Sequence, residues 1–126
     1  MTVAHLLNLD TRTPVSEHQR VAAERLLSGD PQQGAFNLFS DPGQQFHVGV
    51  WESEPGTWKV SYSEHEFCTI LEGRIRIRDD AGNESVVGPG DSFVISAGFS
   101  GTWQVLEKVR KIYVIFEPDV ATQSTP

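Results

Sequence analysis

The sequence has few of the features that mark several large classes of protein. Its single cysteine, Cys68, excludes an internal disulfide and a multi-cysteine zinc site. Lysines and arginines number 10 against 17 aspartates and glutamates, and a formal net charge of −7 argues against a nucleic-acid partner. No apolar run is long enough to cross a membrane, so we expect no membrane partner. The N-terminal residues lack the regions of a signal peptide, and we therefore expect a cytoplasmic protein.

The chain of 126 residues has the length of one domain with a substantial core. Its 11 glycines and 7 prolines are spread along the sequence and do not gather into a linker. We therefore predict a single domain over residues 1–126, with a barrel core at 35–117, an N-terminal extension at 1–34 and a polar tail at 118–126.

Residues 14–28 carry signals of a short helix. Ser16 with Gln19 resembles a capping box, and Gly29 is placed to end a helix. The run at 25–27 fits a strand equally well, so the sequence leaves both alternatives open.

From residue 35 onward the pattern indicates β-structure. Short apolar or alternating runs are separated by turns rich in glycine, proline and aspartate, which is typical of a sandwich or barrel. Arginine and isoleucine alternate over residues 74–78, which predicts that the isoleucines face the core. The predicted strands are Ala35–Phe39, Phe46–Glu52, Trp58–Tyr62, Phe67–Leu71, Arg74–Arg78, Glu84–Val87, Ser92–Ile95, Thr102–Glu107 and Lys111–Glu117.

The stretch from Tyr62 to Gly73 requires a chemical explanation. Phe67–Leu71 is an almost unbroken apolar run, which predicts a strand that is covered on both faces and ends at Gly73. Glu66 stands at the start of this run. Burial of a carboxylate is costly unless it binds a metal, a cation or a hydrogen-bond donor. Glu66 is therefore the candidate catalytic residue.

Several motifs together resemble the cupin superfamily. Residues 88–99, preceded by Glu66 and Gly73, resemble parts of the two cupin motifs. Further runs at 49–58 and 98–103 are similar to one group of small cupins, those like the cupin domain of (S)-ureidoglycine aminohydrolase and the ethanolamine-utilisation cupin. The resemblance implies an all-β fold, the RmlC-like jelly-roll barrel or double-stranded β-helix.

The resemblance also implies a divalent metal held by three histidines and one glutamate, but only Glu66 matches this set. The histidine positions carry other residues, namely Val60 and Tyr62 or, with one more intervening residue, Lys59 and Ser61, followed by Gly101. We therefore expect no cofactor and no typical metal site. Glu66 and His47 are candidate ligands only if a metal is bound.

The cupin register would place an aromatic pocket around Glu66. The candidate pocket residues are Trp51, Trp58, Tyr62, Glu66, Cys68, Phe93, Trp103, Lys111 and Tyr113. A carboxylate beside aromatic rings favours an amine-bearing ligand. Alternatively, Lys111 neutralises Glu66 across the barrel. Cys68 lies in an apolar run, and we expect it to be an inert thiol.

Three functions stay open at this point. The first is a metal-independent cupin that binds a small polar or amine-containing metabolite. The second, implied by the resemblance to ureidoglycine aminohydrolase, is an enzyme of nitrogen-compound metabolism with Glu66 in the active site. The third is a non-catalytic dimerising module whose barrel is filled by aromatic side chains. The resemblance further implies a homodimer formed through edge strands, to which the N-terminal segment contributes.

Overall fold

The computed structural model describes residues 3–118, which form nine β-strands and contain no helix. The all-β prediction is confirmed, and the strands join into one sheet that curls on itself. In chain order they are β1 (Glu17–Arg20), β2 (Leu26–Ser28), β3 (Gln32–Ser40), β4 (Phe46–Ser53), β5 (Gly56–Ser61), β6 (His65–Asp79), β7 (Glu84–Val87), β8 (Ser92–Ile95) and β9 (Ser100–Phe116). Residues 3–118 include no helix that could span a membrane.

The two longest strands, β6 and β9, pair antiparallel along most of their length and form the centre of the barrel. The first part of β6 pairs with β8 and its last part with β7. The first part of β9 pairs with β5, and its last part with β4. The sheet continues from β4 to β3 and β1, and from β5 to β2. Both long strands therefore contribute to both halves of the barrel.

Gly73 bends β6 and does not end a strand, so that prediction is wrong. The predicted strands at 67–71 and 74–78 are parts of one strand, His65–Asp79. Gly73 has a φ of +87°, and the pairing register with β9 shifts around it. A Cβ atom at this position would overlap the carbonyl oxygen of Lys108 on β9. The predicted strands at 102–107 and 111–117 are likewise joined, within β9.

The helix predicted for residues 14–28 does not form. This segment contains β1, which pairs with β3, and β2, which pairs with β5. Hydrogen bonding to the edges of the sheet prevails here over the weak local helix signals. The preceding N-terminal arm, residues 3–16, is held by Arg110, which donates hydrogen bonds to the carbonyl oxygens of Thr11 at 2.7 Å and Thr13 at 2.6 Å.

The apolar core lies inside the barrel, and β6 and β9 contribute most of its side chains. As predicted, the isoleucines of the 74–78 run face inward, since Ile75 is fully buried and Ile77 packs against the core. The core cluster comprises Trp58, Cys68, Ile70, Ile75, Val87, Ile95, Trp103, Val105 and Val109.

Candidate functional site

A cavity of about 410 Å³ lies inside the barrel, between β3, β4, β5, β6 and β9. Its volume lies within the range of small-molecule sites, roughly 300–1,000 Å³. Five of its wall residues are aromatic, namely Trp51, Trp58, Tyr62, Trp103 and Tyr113. Its polar wall residues are Gln33, Asn37, His47, Glu64, Glu66 and Lys111.

Strand alternation directs the central side chains of this site toward the interior. Glu66 and Cys68 share the inner face of β6, and both are buried, whereas His65 between Glu64 and Glu66 is exposed. Lys111 and Tyr113 share the inner face of β9, where Tyr113 lies directly opposite Cys68. The pairing of β6 with β9 therefore brings the carboxylate, the thiol and the ammonium together.

Lys111 and Glu66 form a buried ion pair. The Lys111 Nζ atom donates a hydrogen bond to Glu66 Oε2 at 2.9 Å, and the Tyr62 hydroxyl donates to Glu66 Oε1 at 2.8 Å. Glu66 is 5% exposed and Lys111 is 4% exposed. This arrangement agrees with the expectation that Lys111 neutralises Glu66, although Lys111 reaches it from the neighbouring strand and not from across the barrel.

The Lys111 ammonium has further partners inside the barrel. Its Nζ atom lies 3.6 Å from Cys68 Sγ, 4.3 Å from the centroid of the Trp103 ring and 4.7 Å from that of Trp51. Burial alone would lower the pKa of Lys111, but the negative charge of Glu66 and the interactions with Cys68 together outweigh burial and raise that pKa above its ordinary value. Lys111 is therefore a fixed internal cation and not a nucleophilic amine.

Two predicted pocket residues, Cys68 and Phe93, do not line the cavity. Cys68 is fully buried in the core and contacts Lys111, while Phe93 lies opposite Cys68 on β8 and packs against the same core. Burial raises the pKa of Cys68 to about 12, against the opposing effect of the Lys111 charge. The sulfur atom is therefore a protonated thiol near neutral pH, in line with the expectation of an inert side chain.

Glu64 lines the cavity and was absent from the predicted site. Partial burial raises its pKa, and the negative charges of Glu66 and Glu117 raise it further. Within residues 3–118, no cationic side chain forms an ion pair with it. The sequence offers no local signal for this residue, because Glu64 lies in a bend before β6 and not within a strand.

The loop between β8 and β9, at residues 96–99, positions Tyr62. The Tyr62 backbone N–H donates to the carbonyl oxygen of Phe99 at 2.9 Å, and the Gly98 N–H donates to the carbonyl oxygen of Tyr62 at 2.7 Å. The Tyr62 and Phe99 rings also meet edge to face. These contacts fix the phenol whose hydroxyl group donates to Glu66.

The residues present do not fit the metal centre of a typical cupin. His47 lines the cavity, but its Nδ1 atom lies 2.6 Å from Ser40 Oγ and its Nε2 atom lies 3.1 Å from the Gln44 carbonyl oxygen. The Glu66 carboxylate is bonded to Lys111. In the part of the chain that the structure describes, no three histidine, cysteine, aspartate or glutamate residues form a group that could hold an ion.

The chain is similar to several solved structures. It resembles a DUF861-family protein of unknown function from Pseudomonas syringae pv. tomato at 27% identity and a TM-score of 0.78, over 85% of this chain but only 46% of that one. A DUF861-family protein from Thermotoga maritima is 36% identical over 53% of this chain and 76% of its own, with a TM-score of 0.52. The chain therefore spans about half the length of the Pseudomonas protein.

A putative ethanolamine utilization protein Q from Salmonella typhimurium shares the fold at 22% identity and a TM-score of 0.61, over 69% of this chain and 71% of that one. No curated protein matches the sequence. The family model of the EutQ-like cupin domain matches residues 40–113, which is more than half of the chain. The jelly-roll prediction is thus confirmed, and the chain belongs to the family of EutQ-like cupin domains.

Proposed function

We propose that this cupin domain binds a small amine-bearing metabolite inside its barrel and does so without a metal. The charge of the cavity wall carries this proposal. The wall contains two carboxylates, Glu64 and Glu66, and one ammonium, Lys111. Lys111 is engaged by Glu66 at 2.9 Å, which leaves Glu64 as the carboxylate without a cation. A ligand ammonium group beside Glu64 would supply that cation.

The aromatic wall supports the same class of ligand. Trp51, Trp58, Tyr62 and Tyr113 surround the space next to the two carboxylates. The negative faces of such rings attract cations, and they also cover the apolar part of a small ligand. The ligand ammonium is thus expected between the Glu64 carboxylate and an aromatic face.

Lys111 supports a site that works without a metal. A divalent ion at Glu66 would have to displace an ammonium that is 4% exposed and lies over two indole rings. The ion pair already satisfies the requirement that a buried carboxylate has a charged partner. In this proposal, the Lys111 ammonium supplies the positive charge beside Glu66 that a metal ion supplies in a typical cupin.

The alternative, an enzyme of nitrogen-compound metabolism with Glu66 in its active site, has weaker support. Both Glu66 oxygens accept hydrogen bonds, and burial raises the pKa values of the neighbouring Cys68 and Tyr62 groups. Neither the thiol nor the phenol is therefore an activated nucleophile near neutral pH. An enzyme with this arrangement would therefore have to use a carboxylate for proton transfer.

Calorimetric titration with n-propylamine, and with n-propanol as its uncharged counterpart, tests the proposal. We expect the amine to bind and the alcohol not to bind. Glu64→Gln should weaken amine binding at least tenfold, whereas Glu72→Gln, at an exposed position on β6, should not change it. Prior treatment with a chelator should have no effect. Amine binding that a chelator abolishes and a divalent ion restores would contradict the metal-free site.

We also propose a homodimer, because an apolar surface lies on the outer face of the sheet. Val94 on β8 is paired with Phe67 on β6, and Phe46 on β4 is paired with Phe116 on β9; all four side chains are exposed. Exposed apolar groups of this size on neighbouring strands favour association. Light scattering should give a dimer, and Phe67→Glu should give a monomer. A monomeric wild-type protein would contradict the proposal.

A further inference from the structure

A groove of about 330 Å³ adjoins the barrel cavity along a shared wall. Five residues line both spaces, namely Gln33, Trp58, Val60, Tyr62 and Glu64. The carboxylate without a cation, Glu64, therefore stands where the cavity and the groove meet. A ligand whose ammonium lies beside Glu64 can extend along Trp58 and Tyr62 into the groove.

The groove differs from the cavity in its charge. Three cationic side chains line it, Arg20, Arg25 and Lys59, and among residues 3–118 Glu64 is the only acidic residue in its wall. Arg20 is partly neutralised, because its guanidinium lies 3.4 Å from the Asp30 carboxylate and donates to the Asp30 carbonyl oxygen at 2.6 Å. Among residues 3–118, neither Arg25 nor Lys59 has an acidic partner in an ion pair.

Hydrogen bonds to the backbone hold Arg25 and Lys59 next to each other on neighbouring segments. The Lys59 backbone N–H donates to the Arg25 carbonyl oxygen at 2.9 Å, next to the pairing of β2 with β5. The Arg25 guanidinium in turn donates to the Lys59 carbonyl oxygen at 3.4 Å. A guanidinium has five N–H groups, so most of those on Arg25 are left for another acceptor. With Arg20, these two residues give the groove three cations against one carboxylate, Glu64, in a chain whose net charge is −7.

We propose that the ligand has two charged ends, an ammonium group at Glu64 in the barrel and an anionic group at Arg25 and Lys59 in the groove. The ammonium end rests on the proposed function, and the anionic end is the new element. A planar guanidinium beside an ammonium is suited to an oxyanion, either a carboxylate or a phosphate. The ligand class is thus a small amino acid or a phosphorylated amine, with its apolar part against Trp58 and Tyr62.

Matched pairs of compounds test the anionic end by calorimetry. The ω-amino acids from glycine to 6-aminohexanoate are compared with the alkylamines of the same chain length, and phosphoethanolamine with ethanolamine. We expect at least one anionic member to bind tenfold or more tightly than its partner. Gains restricted to the amino acids identify a carboxylate, and a gain restricted to phosphoethanolamine identifies a phosphate.

The variant Arg25→Gln/Lys59→Gln should remove this gain and leave alkylamine binding unchanged. Both side chains are exposed, so the fold should persist, and the unfolding midpoint checks this. Arg12→Gln/Lys108→Gln removes the same two types of charge at exposed positions that do not line the groove, and this charge-matched control should retain the gain.

The outcomes separate the two proposals. If alkylamines bind and the anionic group adds nothing, the two-ended ligand is wrong and the amine site stands. A gain that persists in Arg25→Gln/Lys59→Gln also overturns it, since the anion would then be bound elsewhere. If no alkylamine and no anionic amine binds, the proposed function itself fails and this inference fails with it.

Discussion

The Lys111 ammonium lies 2.9 Å from the Glu66 carboxylate, and both side chains are more than nine-tenths buried. The pairing of β6 with β9 sets this relationship, because it places the two residues on inward-facing positions of adjacent strands. Two indole rings and the Tyr62 hydroxyl complete the surroundings of the pair. The barrel interior is therefore electrically balanced at Glu66, and its excess negative charge lies at Glu64.

Loss of either partner of the buried pair should destabilise the protein strongly. Glu66→Gln leaves the Lys111 ammonium without its counter-charge, and Lys111→Met leaves a buried carboxylate alone. Each change should lower the free energy of unfolding by about 3–5 kcal/mol. The double variant Glu66→Gln/Lys111→Met removes both charges and should recover most of this loss. Urea unfolding of the four proteins measures the coupling energy directly.

The exposed ion pair between Arg76 and Glu84 is the matched control for this cycle. Its atoms lie 3.5 Å apart, and its side chains are 40% and 41% exposed. Glu84→Gln should cost less than about 1 kcal/mol, because solvent screens this pair and the second one, which Glu84 forms with Arg78 at 3.7 Å. If Glu66→Gln were as mild as Glu84→Gln, the buried pair would not be a significant source of stability.

Stability should fall as the pH rises above about 9. The pKa of Cys68 is raised from 9.0 to about 12 by burial, and that of Lys111 is also raised. Both groups therefore hold their protons more tightly in the folded state than in the unfolded state. This difference stabilises the folded protein fully below the pKa of the unfolded state, and the stabilisation is lost as the pH rises toward the pKa of the folded state. For Cys68 alone, the stability lost between pH 9 and pH 12 approaches about 4 kcal/mol.

Urea unfolding at several pH values between 7 and 11 measures this dependence. In Cys68→Ala the decline should be shallower, since that variant loses the thiol contribution and retains those of Lys111, Tyr62 and Tyr113, whose pKa values are also raised. Identical slopes for wild type and Cys68→Ala would show that the thiol does not titrate as inferred.

The sequence predicted the parts of this site that depend on local pattern. An acidic residue before an apolar run identified Glu66, and alternation of period two placed Ile75 and Ile77 inside. Continuity of β6 through Gly73 was not predictable in this way, because β9, more than thirty residues away, supplies the hydrogen bonds that continue the strand. The strands within residues 14–28 were unpredictable for the same reason, because their hydrogen-bond partners are the distant strands β3 and β5.

The residues that line the cavity were harder to predict from the sequence than the strands were. Phe93 and Cys68 have the inward orientation that alternation predicts, yet they fill the core because the barrel is packed at that level. Glu64 lies in a bend just before β6, outside the apolar run from which the sequence identified Glu66. Its place in the cavity wall depends on the shape of the barrel mouth, which no local pattern specifies.

The bend at Gly73 should be intolerant of substitution. Alanine there combines an unfavourable φ of +87° with a Cβ atom that overlaps the Lys108 carbonyl oxygen and lies 2.6 Å from Val109 Cα. Gly82 has a similar φ of +93° but open space around its Cβ position. Gly82→Ala should therefore cost about 1–2 kcal/mol from the backbone alone. Gly73→Ala should cost at least twice as much, or yield little folded protein, in parallel thermal unfolding. Equal losses would show that β9 adjusts easily to the added methyl group.

Glu64→Gln should make the ligand-free protein slightly more stable while it weakens ligand binding. Partial burial and the charges of Glu66 and Glu117 raise the pKa of Glu64, which means that its charged form is unfavourable in the empty cavity. Removal of this charge should raise the free energy of unfolding at pH 7 by up to about 0.5 kcal/mol. The same variant loses the carboxylate that we assign to the ligand ammonium, and amine affinity should fall at least tenfold.

The pH dependence distinguishes this role from a purely structural one. Amine binding to the wild type should weaken as the pH falls and Glu64 takes up a proton, and bound amine should lower the pKa of Glu64 through its positive charge. Glu64→Gln should lose this acidic limb, whereas Glu72→Gln should keep it. Calorimetry between pH 4 and pH 8 measures both effects. If Glu64→Gln destabilised the free protein and left amine affinity intact, Glu64 would be a structural carboxylate and would not bind the ligand ammonium.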